Sequence, residues 1–222
     1  MSELHVVLGT GPLGRAVMEA LATRERRVRL VNRSGQMASV PDSVEIVAGD
    51  LYQRDNVAAL TEGTAVVYHC AQPGYTKWVE EFPPLTTAIL DGVAQSGAKL
   101  IVGDNLYMYG DTRGAPIHEG LPNAARTRKG MVRAQVTKMA LDAHQSGTVR
   151  VAIGRGSDFF WTLRARFDDG RASLLSGPGG QGRAAGWRYR CPPHSDLYRR
   201  LWRGVGHLGR TRGGAGANLA CT

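Results

Sequence analysis

Along the chain, short apolar runs alternate with longer stretches of helical spacing. His5-Val6-Val7-Leu8 is rich in β-branched residues and ends in a glycine cluster. Leu13, Ala16, Val17, Ala20 and Leu21 then recur at i, i+3, i+4, i+7 and i+8, one face of a helix. Further strands are predicted over residues 27–31, 43–48, 65–68, 99–102 and 149–153. Helices are predicted around residues 56–60, from Pro83-Pro84 to about Gln95, and over residues 129–144. The two prolines are assigned to a helix's first turn, where proline is tolerated. The strands are apolar on both faces, which predicts an α/β fold: a doubly wound parallel sheet with helices on both sides.

Composition changes this picture only at the C-terminal end. The chain has 222 residues, 28 Lys+Arg, 19 Asp+Glu and a formal charge of +9, which invites a nucleic-acid or membrane-surface reading. Residues 1–160, however, hold 17 basic and 16 acidic residues, whereas residues 161–222 hold 11 and 3. All 11 of the tail's bases are arginine, and it carries 12 of the 29 glycines. The body is therefore electrostatically ordinary. No apolar run reaches the ~18 residues of a membrane span, and Met1-Ser2-Glu3-Leu4 lacks the marks of a secretory signal. Cys70, Cys191 and Cys221 are odd in number and never in a Cys-x-x-Cys pair, so no disulfide scaffold or zinc site is expected. A cytoplasmic protein is the expectation.

Gly9-Thr10-Gly11-Pro12-Leu13-Gly14 matches G-x-G-x-x-G and sits between the first strand and first helix, the context that makes the motif informative. Gly9 permits a tight turn, Gly11 lets backbone approach a pyrophosphate, and Gly14 lets helix pack close to strand. The helix N-terminus adds free N–H groups and a positive dipole end. After the second strand, Asn32-Arg33-Ser34 contains no acid to bind the ribose hydroxyls of NAD. A guanidinium beside a hydroxyl suits a 2′-phosphate, which favours NADP(H) over NAD(H). The competing reading of Arg33 is a solvated surface side chain.

Taken together, these residues resemble the NAD(P)-dependent epimerase/dehydratase branch of the short-chain dehydrogenase/reductase superfamily, a Rossmann-like fold. The resemblance covers about residues 4–160. It rests on the glycine motif, Gly49-Asp50-Leu51, Val66-Val67-Tyr68-His69-Cys70-Ala71, Asn105-Leu106-Tyr107-Met108-Tyr109-Gly110, and residues 154–160. It implies that Asp50 and Leu51 flank the adenine, and that Cys70, Ala71 and Gln72 line the ribose and pyrophosphate. Ser157, after the sixth strand, would face the nicotinamide. Asp50 can equally be a loop or capping carboxylate.

The family's catalytic Tyr-x-x-x-Lys pair is absent, because none of the seven tyrosines is followed four residues later by lysine. Where that pair should lie, the chain has Lys129-Gly130-Met131-Val132-Arg133, and the hydroxyl position carries Asp104-Asn105. The resemblance is thus to an atypical member. Asn105, Tyr107 and Lys129 are the catalytic candidates. Tyr107 would supply a phenol, and Lys129 or Arg133 would polarise a carbonyl, with packing as the alternative for each. Tyr109-Gly110 reads as structural. Tyr75, Lys77 and Trp78 border a substrate pocket, unless Trp78 and Phe82 simply form a hydrophobic cluster at a helix start. No metal site is expected.

Beyond Phe160 neither strand nor helix spacing is evident. Skipping one base there turns Trp161-Thr162 into Gly-Pro, given a suitable threonine codon, and restores the family's Phe-Phe-Gly-Pro. The shifted frame also lets residues 194–205 encode a family-like Tyr-x-Asp-Asp segment. Residues 161–222 are therefore expected to be an irregular, Arg/Gly-rich, out-of-frame remnant of the substrate-binding region. The readings that stand are an NADP(H)-dependent epimerase, dehydratase or reductase of a small carbonyl or sugar-type substrate; a non-catalytic NADP(H) sensor; the inactive product of a frameshifted gene; and, least favoured, an Arg/Gly nucleic-acid binder.

Overall fold

The computed structural model describes residues 3–156 and the strand Asn218–Ala220. Seven strands and four helices are laid out as β1 (Leu4–Leu8), α1 (Pro12–Ala22), β2 (Arg27–Asn32), β3 (Val44–Ala48), α2 (Arg54–Thr61), β4 (Thr64–His69), α3 (Trp78–Ser96), β5 (Lys99–Asp104), α4 (Arg128–Gln145), β6 (Arg150–Arg155) and β7 (Asn218–Ala220). Every pairing is parallel, in the order β3-β2-β1-β4-β5-β6-β7. This is the doubly wound, Rossmann-like sheet expected from the alternation. Short β7 extends it beside β6 within the segment expected to be irregular. The rest of residues 161–222, and with it the expectation of an out-of-frame remnant, lies outside the described residues.

Both faces of the central strands β1, β4 and β5 are largely buried, and their alternation separates two cores. Val6, Leu8, Leu100, Val151 and Ile153 pack under α2, α3 and α4 with Val57, Ile89, Val93 and Ala140. Val7, Leu30, Tyr68 and Ile101 point the other way, onto Leu13, Val17, Met18 and Leu21 of α1. Burying each such aliphatic side chain contributes about 1.5–3 kcal/mol. The sheet's strand order reverses between β1 and β4, so their C-terminal ends, paired Leu8 to His69, diverge into a crevice.

One helix departs from its predicted start. α3 begins at Trp78, so Pro83 and Pro84 lie inside it rather than opening it. The proline nitrogens leave the carbonyls of Val79 and Glu80 without their usual helical donors. Both of those residues are exposed, so water can replace the lost bonds. The extra turn is held by packing, since buried Trp78 and Phe82 meet edge to face and pack with Val132 and Val136 of α4. Tertiary burial outweighs the local proline signal.

α2 and α3 approach closely at Gly92, where a Cβ would stand 2.6 Å from Val57 Cβ and 2.8 Å from the Arg54 carbonyl oxygen. Gly92→Ala should therefore destabilise the protein by about 1–3 kcal/mol despite its better helix propensity, read as a lower urea midpoint with unchanged m.

Candidate functional site

The glycine turn is built by backbone contact. Gly9 adopts φ +103°, and a Cβ there would stand 2.7 Å from Ala71 Cα. Its N–H donates to Val31 O at 2.9 Å, so the turn is fastened to β2 while it touches the chain leaving β4. A Cβ on Gly14 would run into the Gly9 carbonyl, whereas nothing lies within 4 Å of the Cβ position of Gly11. Gly11 is the N-cap of α1 and Pro12 opens the helix. The start of α1 thus borders open space through Gly11, Pro12 and Leu13, a helix N-terminus of the kind that accepts a pyrophosphate.

Around this turn lies a cleft of about 1090 Å³. Its walls include Gly9, Gly11, Pro12, Leu13, Arg33, Ser34, Leu51, Cys70, Ala71 and Gln72. Gly14 sits beneath the turn, and Asp50 lines an adjoining hollow of about 530 Å³ that shares Arg33, Gly49 and Tyr52 with the main cleft. One oxygen of Asp50 accepts the Tyr52 N–H at 3.0 Å, so this carboxylate closes its own loop. Asn32 Oδ1 accepts from the Ser34 and Gly35 N–H groups, at 3.1 and 2.7 Å, and shapes the loop that presents Arg33. Cys70 is buried, and burial pushes its thiol up, so it packs as a neutral side chain. Ser157 lies outside the described residues. Sequence reasoning missed Tyr52 and Glu81, whose side chains meet at 3.3 Å on the cleft wall. Their only signal was proximity to Asp50 and Lys77.

A second cavity, about 940 Å³, opens between β5 and α4. It brings together Tyr75, Tyr107 and Lys129. Thr127 caps α4 by accepting the Gly130 N–H at 3.1 Å. A Cβ on Gly130 would stand 2.7 Å from the Tyr107 carbonyl oxygen. Glycine here lets the helix start seat on the Tyr107 turn, which sets Lys129 beside it. The Lys129 ammonium lies 2.9 Å from the Tyr75 ring centroid, a cation–π contact. Asn105 lines neither cavity; it is buried, and its Oδ1 accepts the Tyr107 N–H at 3.1 Å. Arg113, Arg126 and Arg128 also line this cavity and were not singled out from sequence. The Arg126-Thr127-Arg128-Lys129 run ahead of an apolar helix face was the available signal.

Arg133 does not reach either cavity. It is 1% exposed, and its guanidinium lies 4.2 Å from the Trp78 ring centroid and 4.4 Å from that of Phe82. It donates to Asp104 Oδ1 at 3.1 Å, while Thr137 donates to Oδ2 at 2.8 Å and the Asn105 N–H to Oδ1 at 2.8 Å. Arg155, on β6, approaches Oδ2 at 3.8 Å and donates to the Tyr109 hydroxyl at 2.9 Å. Burial pushes the Asp104 carboxyl up, opposed first by Arg133. Burial lowers Arg133, opposed by Asp104. The expected carbonyl-polarising role of Arg133 is thereby replaced by packing. Buried His69, against Phe82, is held down to about 4 by burial and then by Arg133.

The model of an NAD(P)H-binding family matches residues 9–149. No curated protein matches the chain. Solved structures similar to it include a UDP-galactose 4-epimerase, 23% identical with TM-score 0.59 over 68% of this chain and 55% of that one. A UDP-N-acetylglucosamine 4-epimerase from Bacillus cereus is 18% identical, TM-score 0.60, over 69% and 53%. A UDP-glucose 4-epimerase from Brucella ovis in complex with NAD is 19% identical, TM-score 0.68, over 99% and 76%. At these identities the likeness is one of fold. The chain spans little more than half the length of the first two. Among the described residues no helix is long and apolar enough to cross a membrane, and no His/Cys/Asp/Glu group could hold a metal.

Two outcomes follow from the buried charges. Asp104→Asn strands Arg133 without its carboxylate and should cost about 3–5 kcal/mol, with Asp104→Asn/Arg133→Met recovering much of it in denaturant unfolding. His69 takes up a proton more readily unfolded, near its ordinary 6.5, than folded, near 4. Its contribution is therefore intact above pH 6.5 and lost as pH falls toward 4, about 3 kcal/mol in all. His69→Phe should flatten that part of the stability–pH curve.

Proposed function

Because the chain belongs to the NAD(P)H-binding family, we propose that it is an NADP(H)-dependent oxidoreductase of the epimerase/dehydratase type, acting on a small carbonyl or sugar-type substrate. The observation that carries this reading is the open cradle over Gly11, at the β1/β4 switch point, with Arg33 and Ser34 on its wall and no acid at the end of β2. The glycine turn and α1 N-terminus fit a dinucleotide's pyrophosphate, and Arg33 with Ser34 fits a 2′-phosphate through charge-assisted hydrogen bonds. Asp50 and Leu51 border the adenine end, and Cys70, Ala71 and Gln72 the ribose and pyrophosphate. When bound, the nicotinamide supplies the hydride chemistry.

The chain's own part is to place and polarise the substrate. Tyr107 and Lys129 line one cavity, so a phenol and an ammonium are available to the same substrate although they come from different segments. Tyr107 is the proton donor or acceptor in this proposal, and Lys129 holds the carbonyl oxygen. Asn105 acts through Tyr107 by fixing its turn. A second reading, a non-catalytic NADP(H) sensor, is favoured by the sequestration of Arg133 against Asp104. Turnover with any carbonyl substrate overturns it.

Titrating the protein with NADPH and NADH, followed by cofactor fluorescence, tests cofactor choice. NADPH should bind more tightly, and Arg33→Ala should weaken NADPH about tenfold while leaving NADH unchanged. Equal affinities, or an equal loss for both cofactors, would overturn the NADP assignment.

A further inference from the structure

We infer that the second cavity is an oxyanion site, gripping a phosphate or carboxylate on the substrate; this deepens the oxidoreductase reading and rests on it. Four of the 17 basic residues of the body, Arg113, Arg126, Arg128 and Lys129, line this one hollow. Among the described residues none of the four is paired with a carboxylate. The acid on the wall is Asp111, and its Oδ1 accepts the Arg113 backbone N–H at 2.8 Å. A body whose charges nearly balance overall has concentrated uncompensated positive charge at one concave place.

The position of the cations adds a second, independent argument. Arg126, Arg128 and Lys129 surround Thr127, the N-cap of α4, and the helix has no acidic residue in its first turn. That end of a helix is the positive pole of its dipole, where cations are unfavourable and anions favourable. Three cations there work against folding unless an anion joins them. Guanidinium groups offer paired donors matched to phosphate and carboxylate oxygens. Leu106, Ile117 and Tyr107 supply an apolar wall for the uncharged part of the molecule. The ligand so described carries an oxyanion at one end and an uncharged body at the other, with its carbonyl directed toward Tyr107 and Lys129.

Calorimetric titration of the full chain, saturated with NADPH to fill the glycine-turn cleft, tests this with two probes, inorganic phosphate and malonate. Saturable binding of either is expected, and which one binds tells a phosphate from a carboxylate preference. Arg126→Gln/Arg128→Gln should weaken it about tenfold. Arg126→Lys should retain most of it, as should Arg150→Gln at the opposite end of the sheet. Rising NaCl should weaken it further. Because the double substitution removes cations from a dipole's positive end, it should not lower Tm, so loss of fold will not mimic loss of binding. Failure of both probes to bind, or binding unchanged in the double variant, overturns the inference. If NADPH itself fails to bind, the oxidoreductase reading falls, and the same titration without NADPH still assigns the cavity through that variant.

Discussion

The Asp104 carboxylate is the joint on which the rest of the site depends. It lies at the C-terminal end of β5 and is grasped by Arg133 and Thr137 of α4 and by the Asn105 N–H, with Arg155 of β6 close by. One group thus ties two neighbouring strands to the helix crossing them. Desolvating these charges is costly, and their mutual attraction offsets that cost only because the geometry is fixed. A fixed α4 in turn fixes the Thr127 cap, the seat of Gly130 on the Tyr107 turn, and the facing of Lys129 and Tyr107.

The same joint explains how the chain departs from the usual chemistry of its resemblance. Lys129 and Arg133 keep the one-turn spacing of that family's tyrosine and lysine, yet their side chains serve different ends. Arg133 is turned inward between Trp78 and Phe82 and neutralised by a carboxylate. Lys129 remains at the cavity, over Tyr75. A buried, carboxylate-paired arginine keeps its proton, so Arg133 serves packing and charge balance.

Legibility in the sequence followed the range of the interactions concerned. The β1–α1 glycine turn could be read directly, because the demands on Gly9 and Gly14 come from backbone crowding within a few residues and at Ala71. The central strands were readable because burial on both faces leaves short apolar runs such as Val6-Val7-Leu8 and Val66-Val67-Tyr68. The start of α3 was misplaced, since the Pro83-Pro84 signal is local while the packing of Trp78 and Phe82 on α4 is not. The fate of Arg133 was hidden for the same reason, its partner lying 29 residues away. Arg113 and Arg126 line one cavity because Gly110, at φ +70°, passes within contact of Ala124, and Ala125 N–H donates to Met108 O at 3.1 Å. Nothing in the spacing of those arginines announces that closure.

The pairing of β1 with both β2 and β4 has a consequence for the order in which the protein is made. The walls of the glycine-turn cleft are all contributed by residues 9–85. Those of the second cavity extend from Tyr75 to Lys129. Chains emerge from the ribosome N-terminus first and fold as cooperative units when enough partners are present. The dinucleotide cleft therefore has all of its parts while α4 is still unmade. The residues of the first cleft are thus synthesised before those that complete the second, although the core beneath both is closed only by β5, β6 and α4.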